Sequence, residues 1–168
     1  MIKEESTMEA GFRALVKAYK ERLYWHIRRM VHTHENAEDV LQNTFVKVYR
    51  NLDGFEERSK LYTWIYRIAT NESINFLKKR KLTIDGELSQ VENILVADPY
   101  FDGNEIQLAL KSAIETLPER QKAVFNLRYY ESMPYRDISK MLLVTEGALK
   151  ANFHHAVKKI EAYLKNKT

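Results

Sequence analysis

Residues 55–81 read FEERSKLYTWIYRIATNESINFLKKRK, and the reading of this stretch decides the fold. Phe55, Tyr62, Trp64, Tyr66 and Phe76, with Tyr49 just upstream, crowd a segment that closes on the cations Lys78, Lys79, Arg80 and Lys81. From Ser59 onward the spacing predicts one helix. Ser59 is its expected N-cap, since a seryl hydroxyl accepts a hydrogen bond from an unpaired first-turn amide. Leu61, Trp64, Ile65, Ile68, Ala69 and Phe76 recur at helical spacing and are expected to make the buried stripe. At about 100° per residue, Arg67, Asn71 and Lys78 share a flank of that stripe, with Asn75 at its edge. Cations attract a phosphate backbone, aromatic rings stack bases and amides choose among base edges, so the flank suits an unpaired nucleic-acid strand. An ordinary amphipathic helix with an aromatic core and a solvated basic end would use the same residues. The stretch alone leaves both readings open.

Charge along the chain adds to the first reading. The chain has 168 residues and a formal net charge of +4. Residues 1–81 hold 16 Lys and Arg against 11 Asp and Glu, whereas residues 82–110 hold six acids and no cation. Residues 111–168 return to 11 cations against six acids. Two basic blocks around an acidic strip suggest two modules that face nucleic acid, joined by a linker that avoids or imitates it. There is no cysteine, which excludes disulfides and thiolate metal sites and is compatible with life inside the cell. The start, MIKEESTMEAGF, has no apolar run and is not expected to act as a signal peptide. No stretch approaches the roughly 20 apolar residues of a membrane span, so direct membrane insertion is not expected.

Outward from the central stretch, residues 8–31 predict a first amphipathic helix through Phe12, Leu15, Val16, Tyr19, Leu23, Ile27, Met30 and Val31. His32 and His34 follow without further clustered ligands, which reads as a loop rather than a metal site. Asn36 is the expected cap of a second helix, whose buried stripe is Ala37, Leu41, Phe45, Val48 and Leu52. Asp39, Gln42, Asn43, Val46 and Arg50 fall on the opposite side. That face either docks another helix pair or is simply solvated. Residues 82–104 lose periodicity and gain Asp-Gly and Asp-Pro punctuation. They are expected to form a mobile linker with at most a short helix around 88–95.

Helicity resumes after Asn104, and Pro118 is expected to open a further helix at its first position, burying Val124, Phe125, Leu127 and Tyr129. A short helix over PYRDISKMLL, a turn and a long helix capped by Thr145 make a helix-turn-helix. In the long helix Leu149, Phe153, Ala156, Ile160 and Leu164 face inward. Gly147, Lys150, Ala151, His154, His155 and Lys158 face out. Small residues at the helix start followed by cations suit a major groove, with phosphate contacts further along.

AEDVLQNTFVKVYRNLDGF (37–55) followed by LYTWIYRIATNESINFLKKR (61–80) closely resembles region 2 of bacterial extracytoplasmic-function, or group 4, sigma factors. LPERQKAVFNLRYYESMPYRDISKML and EGALKANFHHAVKKIEAYL, within 117–164, resemble their region 4. The resemblance implies an all-α chain of two small helical domains: region 2 over 1–81, an acidic flexible linker over 82–104, and a region 4 helix-turn-helix over 105–168. It implies a non-catalytic specificity subunit, with bacterial core RNA polymerase and promoter DNA as partners, no cofactor, and an anti-sigma partner of the kind that holds many members inactive. Asp39, Gln42, Asn43, Val46 and Arg50 would then dock on the polymerase. Phe55, Arg67, Asn71, Asn75, Lys78 and Lys79 would melt and read the −10 element. Lys150, Ala151, Asn152, His154, His155 and Lys158 would meet the −35 element as duplex. A cytoplasmic location follows, including retention at the inner membrane through an anti-sigma factor.

The chain departs from the family pattern in places. Asn43 stands where Glu is frequent, Leu143 occupies a turn where Gly is common, and Asn152 and His155 replace typical arginines. A stand-alone helix-turn-helix regulator is the competing reading, but it leaves the face 39–50 and the helix 61–80 without a purpose. An enzyme is the third class; no Gly-rich phosphate loop, His-Glu-x-x-His or nucleophile elbow occurs in the sequence.

Overall fold

A computed structural model describes residues 2–56, 58–83 and 104–166. Among the described residues the chain is helical throughout: α1 (Ile2–Val31), α2 (His34–Asn51), α3 (Leu61–Thr83), α4 (Glu105–Glu115), α5 (Glu119–Tyr129), α6 (Tyr135–Leu142) and α7 (Glu146–Lys165). The chain divides into two compact units, Met1–Leu77 and Lys78–Thr168. The short helix expected near 88–95, and the mobility expected of the acidic segment, fall outside the described residues.

In the first unit α1 and α2 run antiparallel, joined by the turn His32–Thr33. The cap of α2 is Thr33 rather than the expected Asn36. Thr33 is extended, and its Oγ1 accepts the backbone N–H of Asn36 at 3.2 Å. Asn36 instead turns its side-chain amide back to the Val31 carbonyl at 3.4 Å, closing the end of α1. Leu15, Leu23, Ile27, Met30 and Val31 of α1 are buried with Ala37, Val40, Leu41 and Val48 of α2. Phe45 and Leu52, expected in that stripe, are half-buried, while Thr44 is fully buried and donates to its own helix at Val40 O.

The position of α3 corrects two expectations. Its first turn is closed by the Lys60 carbonyl, which accepts from Trp64 N at 3.1 Å, so Ser59 lies outside the cap position. Its buried side is Ile65, Tyr66, Ala69, Thr70, Ser73 and Leu77, and Leu61, Trp64, Ile68 and Phe76 are half-buried. The helix is thus rotated from the stripe expected on aliphatic spacing, because it is pinned by polar contacts. His26 Nε2 and Thr70 Oγ1 lie 2.9 Å apart in the core, the Tyr66 ring sits 5.1 Å from that of His26, and Ser73 Oγ donates to Ala69 O.

In the second unit α7 packs against α4, α5 and α6, burying Ala113, Ile114, Leu117, Phe125, Ala156 and Ile160 together. Asn104 caps α4 by accepting from Gln107 N. Thr145 caps α7 by accepting from Ala148 N, as the sequence predicts. Pro118 sits one position earlier than expected, as the N-cap of α5, with its carbonyl accepting from Lys122 N at 2.9 Å. Tyr129 is exposed rather than buried, since the apolar side of α5 ends at Leu127. Residues Lys122 to Leu127 are all buried, and Lys122 is matched there by Glu115 at 2.6 Å. The helix-turn-helix turn places Leu143 in the left-handed region, φ 54° and ψ 45°, with its side chain 89% exposed.

Burial, and after it the charge of Arg29, lower the His26 pKa from 6.5 to about 3. Between those values the unfolded chain binds a proton that the folded first unit refuses, so the unit loses stability as pH falls below about 6.5. The slope approaches about 1.4 kcal/mol per pH unit. Both tryptophans, Trp25 and Trp64, lie in this unit. Urea unfolding followed by their fluorescence at about pH 6.5 and about pH 4.5 is expected to show the loss, and His26→Leu to flatten it. Equal slopes in both proteins would assign the acid sensitivity to other groups.

A non-glycine residue held in the left-handed region costs about 1–2 kcal/mol, part of which glycine returns through its looser unfolded chain. Because the Leu143 side chain is almost fully exposed, Leu143→Gly is expected to stabilise the second unit by about 0.5–1 kcal/mol. The readout is the far-ultraviolet dichroism transition that tryptophan fluorescence does not follow. A lower midpoint would mean that the Leu143 side chain contributes packing.

Candidate nucleic-acid and polymerase interfaces

On α2 the burial of Ala37, Val40, Leu41, Thr44 and Val48 turns the other side of the helix to solvent. Asp39, Gln42, Asn43, Val46 and Arg50 are all exposed there, as expected from spacing. Beside this face a groove of about 750 Å³ opens between α1 and α2. Phe12, Val16, Leu41, Phe45 and Tyr49 supply its apolar wall, and Asp39, Gln42, Val46 and Arg50 its α2 rim. The Phe12 ring meets Tyr49 edge-on at 5.0 Å and Phe45 at 6.3 Å. Asn43 shares the exposed face but does not line the groove. The groove was not anticipated, although Phe12 and Val16 on one helix and Phe45 and Tyr49 on the other stand at i, i+4, the spacing that aligns two side chains along a helix. An apolar trough with a polar rim is the shape that receives an amphipathic helix.

On α3, Arg67, Asn71, Asn75, Lys78 and Lys79 are exposed. Phe55 reaches the same end of the helix through two consecutive turns, with Gly54 N donating to Asn51 O and Phe55 N to Leu52 O. Its ring lies 5.1 Å from that of Trp64 at an angle of 44°. Trp64 precedes Arg67 by three residues and Asn71 by seven, so the ring pair heads the polar file. The half-burial of Trp64, which was expected in the core, leaves part of the indole available beside it. Glu72, on α3 between these residues, is held by Lys47 of α2. The pairing keeps its carboxylate off the cationic side.

On α7, Lys150, Ala151, His154, His155 and Lys158 are exposed, and Asn152 is half-buried. The His154 and His155 rings are 6.1 Å apart and tilted 57°. Among the described residues no group of three or more His, Asp or Glu side chains is placed to hold a metal ion. The spacing did not reveal Tyr135 of α6. Its ring has the Arg128 guanidinium 5.0 Å and the Lys150 ammonium 5.9 Å from its centre. Three helices meet there, so no periodicity within one helix could mark the cluster. Thr145, by capping α7, fixes where this cationic helix begins.

Comparison with known proteins finds two matching stretches. Residues 15–83 match Sigma-70 region 2, and residues 107–160 match Sigma-70, region 4. The chain is 28% identical over 168 positions to the ECF RNA polymerase sigma factor SigW of Bacillus subtilis, covering 93% of this chain and 90% of that protein. It is 29% identical over 171 positions to the RNA polymerase sigma-H factor of Pseudomonas aeruginosa, covering 92% and 86%. The fold is similar to that of the sigma factor RpoE of Bartonella quintana, solved with the anti-sigma factor NepR. That likeness has a TM-score of 0.78 at 23% identity and covers 92% of this chain and 97% of that one. It is similar also to CnrH, solved with the cytosolic domain of CnrY, with a TM-score of 0.72 at 19% identity covering 95% and 91%.

Proposed function

The chain belongs to the extracytoplasmic-function group of the sigma-70 family, transcription initiation factors rather than catalysts, and we propose that it brings core RNA polymerase to promoters by three separate faces. The observation that carries this reading is the polar file of α3, Arg67, Asn71, Asn75 and Lys78, headed by the Phe55–Trp64 ring pair. A base removed from its stack can rest against an aromatic ring and present its pairing edge to an asparagine. The carboxamide both donates and accepts, so it selects among bases where a cation would not. Asn71, with Phe55 beside it, therefore reads the −10 element as it opens. Arg67, Asn75, Lys78 and Lys79 hold the strand.

Core polymerase docks on Asp39, Gln42, Asn43, Val46 and Arg50, with the adjoining apolar groove receiving helical side chains. The helix-turn-helix reads the −35 element as duplex. Lys150 and Lys158 bind phosphate, and Ala151, Asn152, His154 and His155 approach bases or sugars. On this reading residues 1–81 and 105–168 are the two functional domains, and 82–104 are the linker between them. The polymerase is a cytoplasmic partner and places the chain with it. Of the proteins similar in fold, RpoE was solved with the anti-sigma factor NepR and CnrH with the cytosolic domain of CnrY, which supports an anti-sigma partner here. Run-off transcription with purified bacterial core polymerase over a promoter library is the direct test; no template-specific transcript would overturn the reading.

Asp39→Lys combined with Gln42→Lys is expected to abolish capture of core polymerase with little change in melting temperature, since exposed substitutions stay within about 0.5 kcal/mol. Unchanged capture in pull-down would move docking to another face. Asn71→Ala is expected to keep folding and core binding yet flatten preference at one −10 position by about 1–3 kcal/mol. Phe55→Ala should slow open-complex formation more than duplex binding. A −10 profile identical to wild type at every position in the Asn71→Ala library would remove the specificity role.

A further inference from the structure

His154 and His155 of α7 are exposed, and their rings lie 6.1 Å apart, tilted 57°. Lys150 and Lys158 stand four residues before and after His154, and Lys159 stands four after His155. Each is thus about 6 Å along the helix axis from an imidazole, and all three lysines are exposed. Gly147, Ala148 and Ala151 keep the start of this face low, so the imidazoles project beyond it. Among the described residues no carboxylate pairs with either ring. Of the helices packed against α7, α5 brings Arg128 to the Tyr135 ring, α6 pairs Arg136 with Asp137 at 3.7 Å, and Glu115 of α4 holds Lys122 of α5. The acids of α7 itself are Glu146, in its first turn, and Glu161, seven residues beyond His154. The two rings therefore sit within a row of exposed cations.

We infer that His154 and His155 link −35 recognition to pH: each takes up a proton as the duplex binds, so the helix-turn-helix holds its promoter more tightly as pH falls. Imidazole is the side chain that ordinarily changes its charge between about pH 5 and 8. Neutral, it offers one donor and one acceptor; protonated, it offers two donors. What a duplex presents to such a face is mostly acceptors: phosphate oxygens and, at guanine edges, O6 and N7. The phosphates are opposite in charge to a protonated ring, so the bound state favours the charged form and the proton enters with the DNA. Because the complex then holds more protons than the free protein, affinity rises as pH falls and drops as pH rises. A lysine ammonium keeps its charge over this range, which leaves the imidazoles as the pH-dependent members of the row. The inference rests on the −35 reading above and adds a regulation to it.

The test uses the full chain assembled with core polymerase and a promoter recovered from the transcription library. One duplex probe carries its −35 element with a scrambled −10; a forked probe carries the −10 element alone and reports, for subtraction, the pH dependence of the polymerase itself. Wild-type holoenzyme is expected to bind the −35 probe about tenfold more tightly at about pH 6 than at about pH 7.5, since each proton taken up adds at most about tenfold per pH unit. Its salt slope on that probe should steepen by about one to two, roughly one for each added charge. His154→Gln combined with His155→Gln should bring the ratio of the two affinities close to one, whatever the affinity at the higher pH. His154→Lys combined with His155→Lys should also give a ratio close to one, yet bind at the higher pH more tightly than the Gln pair. A wild-type ratio in the Gln pair overturns the inference and leaves the −35 reading intact. So does a Lys pair that binds no more tightly than the Gln pair, which would mean that the rings supply shape rather than charge. Wild type that prefers the −35 probe to a scrambled duplex at neither pH overturns the reading and the inference together.

Discussion

The 2.9 Å approach of His26 to Thr70, enclosed under the Tyr66 ring, sets the rotation of α3 about its own axis. A helix held by aliphatic contacts alone can roll by tens of degrees and find another fit. One held by a hydrogen bond between two fully buried groups cannot, because rolling would strand both in an apolar core. The small residues on the same side, Ala69, Thr70 and Ser73, let α3 approach closely, and the Ser73 hydroxyl is satisfied within its own helix. With that side pinned, Arg67, Asn71, Asn75 and Lys78 have one direction to face. The proposed reading of bases is therefore a consequence of a polar contact on the opposite side of the helix.

The second unit orients α7 by other means. Phe125 of α5 stacks on Phe153 of α7 at 5.6 Å, and Tyr135 of α6 meets Phe153 edge-on at 6.4 Å. Those rings, with the Thr145 cap, position α7 against both neighbours. The strained Leu143 permits the tight turn between α6 and α7. Tyr135 also carries Arg128 and Lys150 against its ring, so the aromatic packing that seats the helix also gathers cations at its exposed start.

Much of this was legible in the sequence. The helices, the exposed faces of α2 and α7 and the Thr145 cap follow from apolar spacing and residue chemistry, as did the family resemblance from the motifs at 37–80 and 117–164. The failures share a cause: local rules rank neighbours by type, and several candidates competed within a few residues. Thr33 and Asn36 are both good caps, and the chain used both, one for each helix end. Pro118 suits either the cap or the first helical position. The buried side of α3 was misjudged because its determinants, His26, Thr70 and Ser73, are polar and are usually assigned to the surface. Similarly, α5 is enclosed from Lys122 to Leu127 and so has no periodicity to read. There even Asn126 is fully buried, with neither amide atom hydrogen-bonded. The groove between α1 and α2 and the Tyr135 cluster join different helices, which no single-helix pattern encodes.

The two units differ in how much rotational error their proposed tasks tolerate, and their packing follows that difference. A lysine reaches phosphate through a flexible four-carbon stem, so Lys150 and Lys158 can keep their contacts while α7 shifts slightly. Aromatic stacking, which is broad in angle, is sufficient to hold such a helix. An asparagine must present a donor and an acceptor together to a base edge, and a small roll of the helix destroys the match. For α3 the constraint has to be directional, and its directional contacts run to both neighbouring helices: His26 with Thr70 from α1, and Lys47 with Glu72 from α2. The selectivity proposed for one side of α3 thus accounts for the histidine that the chain places, against the usual preference for aliphatic residues, in the core on the other.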